Sequence, residues 1–195
     1  FSNKNIRKAF SYAINRLEFD SDLLGTPALR FLPRPLALGT VNPIAHDPIK
    51  AKDFLKLGMN ELDILTSREP NTFKFRMFSD NLVLISSDSL PQIKTARFLQ
   101  EQWKKHLNLH VEVKIQSFHS YLDKISSGRY SIGIATGIAP DMDPTSILER
   151  FKNKNAPRNH PQFENQKYSE ILSKLNETSD VPLRIQLMNE AENLL

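Results

Sequence analysis

The segment 131–148, which reads SIGIATGIAPDMDPTSIL, constrains the fold most, because an uncharged apolar stretch runs into a loop with two acids and then into a helix start. The small and branched residues at its beginning predict a β-strand, and Pro140 interrupts the extended run. Asp143 followed by Pro144 predicts a helix with a carboxylate at the N-cap and proline at the first helical position. We therefore expect a loop over 137–142 that is held at both ends.

Amphipathic helical patterns alternate with short apolar stretches along the rest of the chain, which is typical of an α/β protein. A helix that starts at Asp47 and Pro48 is expected to end at Gly58, and Asp80-Asn81 is expected to form a hairpin turn between two strands. Further helices are predicted over 6–14 (with Asn3 or Asn5 as cap), 91–107, 118–127, 165–177 and 181–195 (with Asp180 as cap). The other strands are predicted over 73–78, 82–86 and 111–115.

Composition favours one α/β domain and excludes several classes of function. A chain of 195 residues with 39% hydrophobic residues can bury one sizeable core. Its net charge of +4 is spread along the chain without a basic run, which argues against nucleic acid as a partner. The chain has no cysteine, and no segment approaches the roughly 20 apolar residues that span a bilayer.

Motifs for catalysis, metals and cofactors do not occur in the sequence. The chain has no G-x-S-x-G elbow, no P-loop and no G-x-G-x-x-G. His106 and His110 have helical spacing, but no glutamate follows His106 as a zinc protease requires. The close acids Asp141 and Asp143 share one loop, whereas acid–base pairs of hydrolases come from separate elements. We predict that the chain is not an enzyme and uses no cofactor and no metal.

Several segments in order resemble the bacterial oligopeptide- and dipeptide-binding proteins, which are extracellular solute-binding proteins of family 5 for peptide importers. Gly137-Ile138-Ala139-Pro140-Asp141-Met142-Asp143-Pro144 resembles the family's W-x-A-D-Y-P-D-P loop. The other matching segments are NKNIRKAFSYAINR (3–16), the prolines at 27, 33 and 35, DPIKAKDFLKLG (47–58), FLQEQWKKHLNLHVEVK (98–114), and the C-terminal block from Asn159 through Tyr168 to RIQLMNEAENLL. Together these segments cover nearly the whole chain.

The resemblance implies one lobe of a type II periplasmic-binding-protein clamshell, an α/β lobe with a mixed β-sheet flanked by helices. Because the chain begins with Phe1 and ends at Leu195 within a helical pattern, we expect residues 1–195 to be a single lobe of a larger two-lobed protein, without its first lobe and C-terminal return strands. The resemblance also implies oligopeptide transport with an ATP-binding-cassette permease as partner. The protein is expected to be periplasmic, or a lipoprotein anchored on the outer side of the inner membrane.

A strand end followed by a loop favours capture of a peptide, because a free backbone row pairs with an extended ligand independently of its sequence. Gly137 and Ile138 are candidates for this pairing, since the small side chain of Gly137 permits close approach. Arg30 and Arg34 are candidates for binding a ligand carboxylate. The full predicted ligand-binding set is Arg30, Phe31, Thr136, Gly137, Ile138, Ala139 and Asp141.

The loop departs from the family pattern at the position that matters for the ligand amine. The family's amine-binding aspartate falls on Pro140, its tryptophan falls on Gly137, and Asp141 stands one residue later. Either Asp141 takes over the amine, or the ligand has a different end group, as in a cell-wall peptide or another small solute. A further alternative is a protein–protein interaction domain without peptide uptake.

Three other residues that stand out are assigned structural roles. Asp143 is interpreted as a helix cap, and Trp103 as a core residue because of its apolar neighbours at helical spacing. Asn159 is interpreted as tying down the loop 152–162.

Overall fold

The computed structural model describes residues 2–19, 28–39, 43–64, 72–137 and 140–195. The helices and strands in chain order are α1 (Lys4–Tyr12), α2 (Pro48–Glu61), α3 (Thr72–Asp80), β1 (Val83–Ser87), α4 (Leu90–Leu107), β2 (Glu112–Gln116), α5 (Phe118–Ser126), β3 (Ile132–Gly133), α6 (Pro144–Leu148), α7 (Gln166–Glu177) and α8 (Val181–Leu194). Short 3-10 turns occur at Arg16–Glu18, Arg34–Leu36 and Glu149–Phe151. No described helix combines the length and the apolar character that crossing a membrane requires.

The chain divides into two compact units. Unit 1 consists of Phe1–Pro27, Ile44–Ile125 and Arg129–Ala135, and unit 2 consists of Ala28–Pro43, Ser126–Gly128 and Thr136–Leu195. The expectation that the whole chain forms a single lobe stays a prediction.

Unit 1 is built on a three-stranded sheet in the order β2-β1-β3. The central strand β1 pairs in parallel with both neighbours, with Leu84 opposite Val113 on one side and Ile132 on the other. Each pairing therefore requires a crossover, which the helices α4 and α5 provide. The α/β class is confirmed, although the described pairs are parallel where the resemblance implies a mixed sheet.

Both faces of β1 are buried, as expected of a central parallel strand. Leu84 belongs to the larger core cluster, into which α1, α2 and α4 send their apolar sides. Ile85 points to the other face and packs with Tyr121 and Ile125 of α5. Trp103 lies in the larger cluster, where its indole N–H donates to the Phe10 carbonyl at 2.9 Å, so its interpretation as a core residue is confirmed.

Helix starts with side-chain caps agree with the sequence predictions. The side chain of Asn3 accepts from the backbone N–H groups at the start of α1, and Asp47 caps α2. Asn165 and Asp180 cap α7 and α8 in the same way. These caps act within one turn of the chain, which is why their chemistry is visible in the sequence.

Three local predictions in unit 1 are wrong. The stretch 73–78 is not a strand but part of α3, and Asp80-Asn81 connects that helix to β1 instead of forming a hairpin. The helix α2 does not end at Gly58 but continues to Glu61. Gly58 is buried against α1, where an added Cβ would lie 2.8 Å from Cδ1 of Ile6. Gly58 therefore allows α1 and α2 to pack closely, and it does not end α2.

Unit 2 has its own core, formed by α6, α7, α8 and the segment around Leu32. Tyr168 is fully buried in this core and donates its hydroxyl to the Leu148 carbonyl at 2.7 Å. Burial raises the pKa of the Tyr168 hydroxyl, with a smaller contribution from Glu149. The neutral phenol is therefore retained as a hydrogen-bond donor at physiological pH.

Two histidines of unit 1 are in contact beside α4. The ring centroids of His46 and His106 are 4.6 Å apart, and in the part of the chain that is described neither Nε2 atom, although buried, has a hydrogen-bond partner. Burial lowers the pKa of His106 most, and the neighbouring His46 and Lys105 lower it further, against an opposing effect of Glu18. The contact therefore favours a neutral imidazole at His106.

We expect this pair to make the protein less stable in mild acid. The pKa of His106 in the folded protein lies below its ordinary value of 6.5. The stability that neutral His106 contributes is therefore present above pH 6.5 and is lost as the pH falls through the folded-state pKa. The urea midpoint of the wild type should therefore decrease between pH 7.5 and pH 5.5 more than that of His106→Gln. An equal decrease in both proteins would contradict this role. Comparison with the variant is needed because the pKa of His160 is lowered by burial as well.

Candidate functional site

The backbone predicted to receive the ligand lies at the start of Thr136–Leu195, the third and longest segment of unit 2. The β3 ladder ends at Gly133, and the backbone continues to Thr136 and Gly137, which are both exposed. Ile138 and Ala139 lie outside the described residues, so their predicted ligand contacts stay predictions. Thr136 and Gly137 are thus accessible to a ligand backbone.

Asp141 is exposed, and its carboxylate is oriented by its own loop. One oxygen accepts from the Asp143 backbone N–H at 2.9 Å, and the other accepts from the Ser146 hydroxyl at 2.8 Å. An ionised carboxylate has about four acceptor sites, so two hydrogen bonds leave capacity for an ammonium group. Asp141 is therefore held in place at an accessible position, as an amine anchor requires.

Asp143 is the N-cap of α6, which confirms its structural interpretation. Its carboxylate accepts from the Thr145 backbone N–H at 2.9 Å, and Arg184 lies 3.9 Å away. The side-chain hydrogen bond with Thr145 lowers the pKa of Asp143 most, and the backbone bond and Arg184 lower it further against partial burial. Asp143 is therefore committed to helix capping and stays ionised at neutral pH.

Arg30 interacts with a carboxylate of its own chain. Its Nε donates to the two oxygens of Glu192 at 3.0 and 3.2 Å, and its Nη2 forms a salt bridge with the same group. The Glu192 side chain is only 2% exposed and also accepts from the Leu32 backbone N–H at 2.8 Å. Arg30 further donates to the Gly39 carbonyl at 3.1 Å. These bonds attach the segment 30–39 to α8, while a ligand contact of Arg30 stays a prediction.

Phe31 and Gly137, two residues of the predicted set, both contact the turn Glu149–Phe151. The ring of Phe31 is 45% exposed and meets the ring of Phe151 edge-on, with centroids 5.2 Å apart. A Cβ built on Gly137 would lie 3.1 Å from Nη1 of Arg150. The turn therefore brings parts of the predicted set together through two residues, Arg150 and Phe151, that sequence reasoning missed.

Asn159 organises the loop before α7, as predicted. Its side-chain amide donates to the carbonyls of Asn153 and Phe163, both at 2.8 Å, and its oxygen accepts from the Phe163 N–H at 2.9 Å. The residue is 3% exposed, so these bonds replace those that water would otherwise provide. Asn159 is thus a structural residue of unit 2.

No cluster of three or more histidine, cysteine, aspartate or glutamate side chains suited to a metal ion occurs among the described residues. His110 is exposed, whereas His106 faces His46. The site consequently offers backbone groups, one oriented carboxylate, a guanidinium and aromatic rings. Such a set can bind a small polar ligand by hydrogen bonds and charge.

The fold is that of a solute-binding protein. The sequence model of the bacterial extracellular solute-binding proteins, family 5 middle, matches residues 1–159, and the chain belongs to this family. The family identified from the sequence motifs is therefore confirmed.

Among curated relatives, the oligopeptide-binding protein OppA of Bacillus subtilis is 27% identical over 199 residues, which cover 98% of this chain and 35% of that protein. The periplasmic murein peptide-binding protein MppA of Escherichia coli is 23% identical and is covered to 35% as well, with 100% of this chain matched. The chain thus spans about a third of the length of these relatives.

Solved structures show the same fold. The unliganded open form of the murein tripeptide-binding protein MppA matches 98% of this chain and 36% of its own, with a TM-score of 0.80 and 23% identity. A periplasmic oligopeptide-binding protein of Borrelia burgdorferi matches 98% of this chain and 37% of its own, with a TM-score of 0.79 and 25% identity.

Proposed function

We propose that this chain provides peptide contacts in the solute-binding component of an ATP-binding-cassette importer. The observation that carries the proposal is the exposed backbone at Thr136 and Gly137, a few residues beyond the end of β3, followed by the oriented carboxylate of Asp141. Membership in family 5 supports it, as do the names of relatives that bind oligopeptides and dipeptides.

In this mechanism an extended peptide first pairs its backbone with Gly137 and the following residues, so affinity depends little on peptide sequence. Closure against a second lobe then buries the ligand, and the closed form is presented to the membrane permease. The protein works outside the cytoplasmic membrane, in the periplasm or anchored at its surface. It binds and releases peptide without chemical conversion and without nucleic acid.

A second candidate ligand is a cell-wall peptide or another solute without the usual free amine. Pro140 favours it, because this residue stands where related peptide binders carry the amine-binding aspartate. The name of the relative MppA, a murein peptide-binding protein, supports the same possibility.

Isothermal titration of the full-length protein with free and N-acetylated tripeptides tests the amine anchor. Free peptides should bind, and either acetylation or Asp141→Asn should cost about 2 kcal/mol, the scale for leaving a buried charged group without its partner. Asparagine retains an acceptor for the Asp143 N–H and a polar group for Ser146, so the loop should keep its conformation.

Asp143→Asn is the matched control, because it removes the same charge from the same loop while asparagine remains a good N-cap. The affinity of this variant for peptide should stay within about twofold of the wild-type value, a smaller change than the loss of one hydrogen bond would cause. Equal losses in both variants would refute Asp141 as anchor. Absence of binding by any free peptide would refute the peptide assignment itself.

A further inference from the structure

The guanidinium of Arg150 lies beside Gly137, on the side of the backbone where a side chain would project. A Cβ built on Gly137 would be 3.1 Å from Nη1 of Arg150, which is closer than most contacts of real Cβ atoms. Arg150 lies in the turn Glu149–Phe151 directly after α6 and is half-buried. The guanidinium therefore covers one face of the exposed backbone at Gly137.

The geometry of paired strands determines which side chain of a bound peptide would face Arg150. In paired strands, side chains directly opposite each other lie on the same face with Cβ atoms about 4.5–5.5 Å apart. A peptide paired with Gly137, as the proposed function has it, therefore directs one of its side chains toward the face that Arg150 covers. That side chain meets a cation instead of the empty space beside a glycine.

We propose that Arg150 selects the ligand side chain opposite Gly137, favouring acidic residues there and disfavouring lysine and arginine. The inference rests on the proposed function, since it requires a ligand paired at Gly137. Arg150 has a further interaction within the protein, and its five N–H donors allow one guanidinium to serve several acceptors. Half-burial strengthens the selection, because a charge pair is less screened there than in open solvent.

The acidic groups around the turn are directed to other partners. Glu149 accepts from the Asn176 amide at 2.7 Å and lies 3.8 Å from the Lys152 ammonium. Asp143 caps α6 and faces Arg184, and Asp141 accepts from Ser146. These contacts orient the three carboxylates within the turn and loop. A ligand carboxylate would be a further acceptor for the guanidinium of Arg150, beside the interaction that this residue already has.

The experiment is titration of the full-length protein with alanine tripeptides that carry glutamate, glutamine or lysine at each position in turn. At one position the wild type should bind the glutamate peptide about tenfold more tightly than the lysine peptide, the scale of one favourable and one unfavourable cross-strand charge pair. Arg150→Gln should reduce this ratio to within about twofold, because the neutral amide no longer distinguishes the two charges. Arg150→Lys should retain the preference, because it retains the charge.

Arg158→Gln is the matched control, since Arg158 is an exposed arginine of the same unit and its loss should leave the ratio intact. A wild type without charge preference at any position would overturn the inference, and so would a preference that survives in Arg150→Gln. In both cases peptides still bind and the proposed function stands. If no peptide binds, the proposed function fails and the inference fails with it.

Discussion

Glu192→Gln should destabilise the protein by about 3 kcal/mol, the lower end of the cost of breaking a buried ion pair by removing one charge. The Arg30 and Glu192 side chains are 16% and 2% exposed, so the guanidinium that remains is poorly solvated. The substitution also weakens the acceptor for the Leu32 N–H, and Leu32 belongs to the core of unit 2. Urea unfolding followed by circular dichroism measures the loss.

Glu190→Gln is the control for this prediction, because Glu190 lies on the same helix and accepts an exposed hydrogen bond from Gln186 at 3.2 Å. Its effect should stay within about 0.5 kcal/mol, as for most surface substitutions. If the two variants were equally stable, the ion pair would not be what attaches the segment 30–39 to α8.

Asn159→Asp should cost about 3 kcal/mol at neutral pH, although it replaces a single NH2 group by oxygen. The new carboxylate would face the carbonyl oxygens of Asn153 and Phe163, which now receive two N–H donors at 2.8 Å. Loss of both bonds and burial of a charge among acceptors act in the same direction. Thermal unfolding at pH 7 measures the effect.

The pH dependence of this variant provides a second readout. Repulsion by the carbonyls raises the folded-state pKa of the introduced acid, so the destabilisation is largest at neutral pH and shrinks as the pH falls through that value. Asn155→Asp, an exposed substitution in the same loop, should show neither the loss nor its pH dependence. A loss that is constant from pH 7 to pH 4.5 would contradict the proposed repulsion.

Features that depend on a few neighbouring residues were predictable from the sequence. The caps Asp47, Asp143 and Asp180 lie where predicted, because the cap bond joins atoms within three residues of each other. The long helix α4 also follows its apolar period, and strand β2 lies where its alternation predicts a strand, although Ile115 is exposed. Family motifs supplied the α/β fold class and the location of the loop.

Features that depend on tertiary contacts were not predictable. Residues 73–76 alternate phenylalanine with basic residues, which imitates a strand, yet the stretch 73–78 forms a helix whose Phe78 packs against the core of unit 1. Arg30 and Glu192 are 162 positions apart, so no local pattern connects them. Arg150 approaches Gly137 only because the turn after α6 folds back on the loop.

The parallel pairing of β1 and β2 also affects folding during synthesis. Strand β1 begins with three apolar residues and ends at Ser87, and its partner β2 starts 25 residues later, at Glu112. At the usual synthesis rates of roughly 5 to 20 residues per second, a nascent chain carries β1 without its partner for about 1 to 5 seconds. During this interval the unpaired strand is exposed to association with other chains, and α4, which follows β1 directly and packs against it, is the first element that can cover it.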